Sequence, residues 1–338
     1  MLKHLYDKSD MKSVITSLAE QISKAYAIET NIRIQGLPDY IIICGMGGSS
    51  ISGQILSDYL TLSIPIITVA DYHIPQFATR NSLIFIISYS GNTEETIACY
   101  REAVKQGQHI VVIATGGKLI EYCTRNYIPH IIVPKGLQPR NAIAYLFFPM
   151  IRVLENSGII ANKSAEVAKT IDTLKKNRET YDVHAQEIAE KLVNTLPIIY
   201  SSTENYSIAY RWKCEFNENA KIIALCNKFP ELNHNEFNGF VNYANQNIPL
   251  HIIILKDSDD HKRIIKRMDI TKRLIKDLSD RKIGFTEVHI SGESRLAKLF
   301  STIYLGDLVS YYLALKYATD PTPVDMIERF KKEMGPFI

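Results

Sequence analysis

Two stretches of the chain place glycines and hydroxyls where a ligand could be gripped without added charge. The first is Cys44-Gly45-Met46-Gly47-Gly48-Ser49-Ser50-Ile51-Ser52-Gly53, which follows a short apolar run. Glycines let backbone approach a ligand closely, and the free amides of a helix start are ready to bind an anion. The second is Ser88-Tyr89-Ser90-Gly91-Asn92-Thr93-Glu94-Glu95-Thr96, where Ser88, Ser90 and Thr93 supply three hydroxyls within six residues. Each stretch also has a plain structural reading, because glycines after a strand make tight turns and Ser or Thr before Glu caps helices. Gly45-Met46-Gly47 opens a dinucleotide fingerprint with Asp71 as its acidic residue, but Ser50 stands at the third glycine, which ranks that reading lower. No Gly-Lys-Ser or Gly-Lys-Thr occurs, which sets aside a nucleoside triphosphate loop. A phosphorylated small molecule without a nucleotide fits better.

Titratable side chains lie further along. Glu215 and Glu218 are three apart on an expected helix, so either could act as a base, and Arg211, Lys213 or Lys221 could simply pair with them. Such a surface pair contributes only about 0.3 to 0.5 kcal/mol. His234 sits between two asparagines in a polar stretch after Pro230, which argues against a buried structural role. No His-x-x-x-His or His-Glu-x-x-His spacing is present, so no metal-ligand cluster is expected.

The elements that must position these groups alternate between short β-branched runs and segments of helical period, the signature of a parallel sheet with crossover helices. Expected strands are Asp39 to Cys44, Ile66 to Val69, Ser82 to Ser88, His109 to Ala114 and His130 to Val133. Their nearly continuous apolarity suits strands covered on both faces. Residues 1–155 therefore read as one α/β domain, and 156–195 as connecting helices. Residues 196–318 read as a second α/β domain, with strands Pro197 to Tyr200, Ile222 to Leu225, Leu250 to Leu255 and Thr286 to Ile290, and 319–338 as a tail. Leu37 to Leu60 and Leu196 to Phe216 share a plan of strand, polar loop and helix, a weak internal duplication in which Ser201-Ser202-Thr203 replaces the glycines. The apolar Leu299 to Leu315 stretch suits either a core helix or a dimer face.

Composition narrows the partners. In 338 residues, 39 Lys plus Arg against 36 Asp plus Glu give a net charge of +3 with no dense basic run, so neither nucleic acid nor a membrane surface is expected. Five dispersed cysteines without a Cys-x-x-Cys pair point to packing residues in a reducing interior. Met1 to Asp10 lacks a signal-peptide core, and Ala142 to Leu154, the most apolar run, is interrupted by Pro149 and Arg152. A cytoplasmic location follows as the expectation.

Gly47-Gly48-Ser49 followed by Ser88 to Thr96 resembles the sugar isomerase (SIS) domain, which grips phosphosugars through serine and threonine hydroxyls. Glu215-Phe216-Asn217-Glu218-Asn219-Ala220-Lys221, Glu231-Leu232-Asn233-His234-Asn235-Glu236 and Asp320-Pro321-Thr322-Pro323-Val324 running to Lys331 are similar to segments of the bifunctional phosphoglucose/phosphomannose isomerases. The resemblance covers both halves and the tail. It implies two SIS domains, each a five-stranded parallel sheet flanked by helices, and an aldose–ketose isomerase acting on glucose 6-phosphate and mannose 6-phosphate. By this resemblance Gly47, Gly48, Ser49, Ser88, Ser90 and Thr93 hold the phosphate, and Glu218 shuttles the proton between C1 and C2. His234 opens the ring, a role suited to an imidazole, while Arg140 and Lys331 steady the enediolate oxygens. Lys331 follows from register with the Asp320-Pro321 motif, with Lys332 one position away, and Thr322 is the candidate for the space near C2. No cofactor is implied. The resemblance further implies a homodimer in which each active site is shared between subunits. A phosphosugar-binding regulator and an aminosugar-phosphate isomerase are the alternatives, and the regulator would be expected to lose Glu218 and His234.

Overall fold

A computed structural model of the chain describes residues 5–246, 248–279 and 283–337; Met1 to His4 of the amino-terminal segment and the last residue of the tail lie outside them. The chain divides into two compact units, Ser17–Ile171 with Pro336–Ile338, and Met1–Thr16 with Asp172–Gly335. The boundary between them falls inside helix Ser164–Lys176.

The first unit is built on five short strands, β1 (Ile41–Cys44), β2 (Ile66–Val69), β3 (Leu83–Ile87), β4 (His109–Ala114) and β5 (His130–Ile132). All pair in parallel in the order β2-β1-β3-β4-β5. Successive crossovers from β1 leave towards opposite edges of the sheet, so its switch point lies between β1 and β3. Open α/β sheets bind ligands beyond the carboxyl ends of such strands. Three helices follow those ends: α1 (Gly48–Tyr59), α2 (Glu94–Gln106) and α3 (Gly117–Asn126). One core lies on the face formed by Ile42, Cys44, Ile84, Ile86, Ile110 and Val112, with Ile97, Cys99 and Tyr100 of α2 packed upon it. The apolar run after residue 142 becomes α4 (Ile143–Asn156), nearly all buried, which explains its composition without a membrane. Phe337 of the tail belongs to this unit, its ring 6.2 Å from Tyr72 and 5.5 Å from the Arg101 guanidinium.

The second unit begins with the short helix Met11–Thr16, whose Lys12 donates to Tyr312 Oη (2.5 Å) and pairs with Asp182. That anchoring explains why the amino terminus groups with the later half of the chain. Its sheet, β6 (Leu196–Ser202), β7 (Leu225–Phe229), β8 (Leu250–Asp257) and β9 (Gly284–Ile290), is parallel in the order β7-β6-β8-β9. It has four strands among the described residues where five were expected, because the chain after Ile290 turns into the 22-residue helix α5 (Arg295–Lys316). The expected strand Ile222 to Leu225 also moves. Asn217 Nδ2 holds the Ile222 carbonyl at 2.7 Å, and pairing with β6 starts only at Leu225, opposite Ile198.

Helix α5 is a core helix, buried on nearly every residue and packed against Arg178–Leu192 (α6) and Tyr206–Glu218 (α7). Trp212 Nε1 donates to the Thr302 carbonyl (2.9 Å), and the fully buried Arg211 makes a two-pronged contact with Asp307 (3.1 and 2.8 Å). The two sheets share one strand order, with β6, β7, β8 and β9 standing as β1, β2, β3 and β4. The duplication suggested by the two strand–loop–helix segments is thus also a match of topology.

Candidate active site

The two loops singled out from sequence follow β1 and β3, the strands that flank the switch point. Gly47 precedes α1 with φ +52°, a left-handed conformation natural to glycine, and the first turn of α1 presents Gly48, Ser49 and Ser50. Ser49 is 4% exposed. Gly48 makes a close approach: a Cβ there would lie 3.0 Å from the Pro139 carbonyl oxygen and 3.1 Å from Arg140 Cα. This brings Arg140, 3% exposed and within the turn Pro139–Ala142, to the same loop.

The β3 loop is held by its own hydroxyls. Ser88 Oγ lies 2.9 Å from Thr93 Oγ1 and accepts the Gly91 N–H (3.1 Å), while Ser90 Oγ accepts the Asn92 N–H (3.2 Å). These neutral donors and acceptors face the end of a buried strand, where an anion can be bound without a counter-cation for each oxygen. Tyr89 turns the other way. Its hydroxyl donates to the Pro134 carbonyl (2.9 Å) and accepts the Leu137 N–H (3.0 Å), steadying the segment that leads into Pro139 and Arg140.

A third junction escaped the sequence reading. Gly116 and Gly117 follow β4, and Gly91 meets them so closely that a Cβ on it would fall 1.8 Å from the Gly116 carbonyl oxygen. Asn92 Oδ1 accepts the Lys118 N–H (3.0 Å) and completes the lock. A signal was present in Thr115-Gly116-Gly117 at the end of an apolar run, but two glycines beside a single hydroxyl did not distinguish a site from a turn.

The expected acid–base groups lie in the second unit. Glu215 is 1% exposed, pairs with Arg211 (3.1 Å) and accepts from Asn219 Nδ2 (2.9 Å), which also donates to Ser310 Oγ (2.9 Å). Its carboxylate is committed to the core. Glu218, one turn on, is half-buried at the carboxyl end of α7. A carboxylate there opposes the helix dipole, so helix stability does not account for it. His234 is exposed on the turn Glu231–His234. That turn is pinned on either side by Asn233 Nδ2 donating to Thr271 Oγ1 (2.9 Å) and by Glu236, which accepts from Tyr200 and Asn227. Lys331 lies on the helix Asp325–Met334, none of whose residues is buried, and pairs with Glu328 at 2.8 Å. The structure therefore places Gly47, Gly48, Ser49, Ser88, Ser90 and Thr93 at the carboxyl ends of the neighbouring strands β1 and β3, with Arg140 against Gly48, and Glu218, His234 and Lys331 on three separate elements of the other unit.

Among the described residues no group of three or more His, Cys, Asp and Glu side chains is arranged to hold a metal ion. The cysteines are free thiols, and burial raises the Cys123 thiol to about 12, which makes it inert. No helix of the described residues is long and apolar enough to cross a membrane.

Residues 182–334 match the model of the bacterial phospho-glucose isomerase C-terminal SIS domain. A bifunctional phosphoglucose/phosphomannose isomerase of Caldicellulosiruptor bescii is 40% identical over 334 residues, covering 95% of this chain and 98% of that protein. The chain belongs to the bifunctional phosphoglucose/phosphomannose isomerase family. A D-glucosamine-6-phosphate 4-epimerase of Sulfolobus acidocaldarius is 34% identical over 236 residues, 69% of this chain and 74% of that one. Among solved structures, a glucosamine-6-phosphate deaminase from Thermotoga maritima shares the fold with a TM-score of 0.66 at 16% identity, covering 92% of this chain and 95% of that chain.

Proposed function

We propose that the protein interconverts glucose 6-phosphate and mannose 6-phosphate with fructose 6-phosphate. The observation that carries this reading is the set of hydroxyls from Ser49, Ser88, Ser90 and Thr93 in the loops beyond β1 and β3, in a chain that belongs to this isomerase family. The Gly47-Gly48-Ser49 turn and Ser88, Ser90 and Thr93 hold the phosphate, leaving the sugar carbons to the acid–base groups. His234 opens the ring by moving a proton between the ring oxygen and the C1 hydroxyl. Glu218 then takes the C2 proton of the open aldose. The C–H electron pair becomes the C1–C2 double bond of an enediolate with its charge on O1, a proton passes from O2 to O1, and the same carboxyl returns its proton to C1 as the C2 carbonyl forms, leaving the ketose. The commitment of Glu215 to Arg211 supports Glu218 as the mobile carboxylate. Arg140 and Lys331 supply positive charge as negative charge develops on the oxygens, commonly a large share of such catalysis.

A coupled assay for fructose 6-phosphate from each aldose phosphate, run with and without EDTA, tests the proposal. Turnover of both aldoses, undiminished by EDTA, is the expected result. No turnover of either sugar removes the isomerase reading, and loss only with EDTA removes the metal-free mechanism. The epimerase relative supports a second reading, action on an amino sugar phosphate, and turnover of glucosamine 6-phosphate alone in the same assay would favour it.

A further inference from the structure

Lys221 ends the segment that carries Glu215 and Glu218, and nothing so far has given it a task. Its backbone is left-handed, with φ +59°, just beyond the end of α7, a place where helices commonly set glycine. A lysine there invites an explanation from its side chain. The ammonium donates to the Glu218 carbonyl (2.5 Å), to the Asn219 carbonyl (3.2 Å) and to the carbonyl of Pro321 (3.2 Å), which is 100 residues further along. The first two bonds are those of an ordinary cap, since a cation at a helix carboxyl end satisfies terminal carbonyls and complements the dipole. The third is not, because Pro321 belongs to the tail turn.

That turn is ordered by its own contacts. Asp320 Oδ1 accepts the Thr322 N–H (2.9 Å), and the Thr319 N–H returns to the Ala314 carbonyl (3.0 Å) at the end of α5. Helix α7 is likewise fixed to α5 by Arg211 with Asp307 and by Asn219 with Ser310. Lys221 links two points of this arrangement: the last residue of α7, which is Glu218, and the loop that carries Thr322.

We propose that Lys221 is a positioning residue, whose ammonium clamps the Glu218 end of α7 to the Asp320–Pro323 turn and so holds Glu218 and Thr322 at a fixed spacing. The inference rests on the isomerase reading for its catalytic consequence, though the clamp itself does not depend on it. Its chemical content is a cation shared among three carbonyl oxygens, which arginine can partly reproduce and which neither methionine nor glycine can.

The test uses the full-length protein and Lys221→Gly, Lys221→Met and Lys221→Arg. Glycine suits the left-handed backbone, so Lys221→Gly is expected to keep the wild-type melting temperature to within a few degrees. It is expected to lower kcat for fructose 6-phosphate formation by roughly tenfold, at the low end of what a misplaced reacting group costs. The KM should change little, since the phosphate loops are untouched. Amide exchange in residues 319–324 should rise, and the ratio of mannose 6-phosphate to glucose 6-phosphate turnover should shift. Lys221→Met should behave likewise, while Lys221→Arg should recover most of the rate.

Wild-type kcat and unchanged tail exchange in a folded Lys221→Gly would overturn the proposal. A melting temperature that falls in proportion to activity, with tail exchange unchanged, would reduce Lys221 to a helix cap and overturn it as well. Were the wild-type protein to lack isomerase activity, the isomerase reading would fall, and the exchange of residues 319–324 in Lys221→Gly would still decide the clamp.

Discussion

At the scale of single residues, two glutamates one helical turn apart have opposite situations. Glu215 is enclosed with Arg211 and Asn219, while Glu218 sits half-buried at a helix end where the dipole works against it. Their variants should therefore fail in different ways. Glu215→Gln is expected to cost about 2 kcal/mol of stability by weakening a charged hydrogen bond in the core, with activity retained under conditions where the protein is folded. Glu218→Gln should leave the denaturation midpoint nearly unchanged and abolish proton exchange at C2, while an unreactive sugar phosphate still binds. Denaturant titration and deuterium wash-in read the two effects separately. A folded but inactive Glu215→Gln beside an active Glu218→Gln would reverse the assignment.

At the scale of elements, the proposed anion site depends on how strand ends meet. The hydroxyls of Ser88 and Thr93 face one another in a loop whose Gly91 lies against Gly116, so closely that a Cβ on Gly91 would fall 1.8 Å from that carbonyl oxygen. Gly91→Ala is expected to displace the β3 loop and weaken substrate phosphate binding by at least tenfold in KM. The helices behind the loop should remain, so far-ultraviolet circular dichroism should be unchanged. Steady-state kinetics across a substrate series checks this, and an unaltered KM would mean that the lock with the β4 loop has no part in binding. Topology explains why these loops were readable and their partner was not. Each of the first two joins a strand signal, a glycine and several hydroxyls in one stretch of sequence, whereas the contact of Gly91 with Gly116 spans two strands and becomes visible only in the sheet.

At the scale of the whole molecule, the proposed homodimer has a specific consequence. If His234 serves the site of the partner subunit, inactive Glu218→Gln and inactive His234→Ala proteins should complement each other when subunits are exchanged. One of the two sites in each mixed dimer would then carry both groups, so random exchange should restore about a quarter of wild-type activity. Activity that stays at the level of the separate variants, with exchange confirmed by mass, would place Glu218 and His234 in the same subunit's site.

The amino-acid sequence by itself determined much of this protein. Continuous apolar runs such as Leu83 to Ile87 demanded strands buried on both faces, and glycines beside hydroxyls at their ends marked the loops proposed to hold an anion, because both signals are local. Segment similarity marked Glu218, His234 and Lys331. Tertiary structure alone decided which carboxylate was already committed, since Arg211 reaches Asp307 and Ser310 reaches Asn219 across more than 90 residues. It also decided that the apolar Leu299 to Leu315 stretch is core, that the second sheet stops at four strands among the described residues, and that Lys221 touches Pro321. The physical reason is the same in each case. Local patterns report what a residue prefers to be next to, while burial and long-range hydrogen bonds depend on which distant elements the fold brings there.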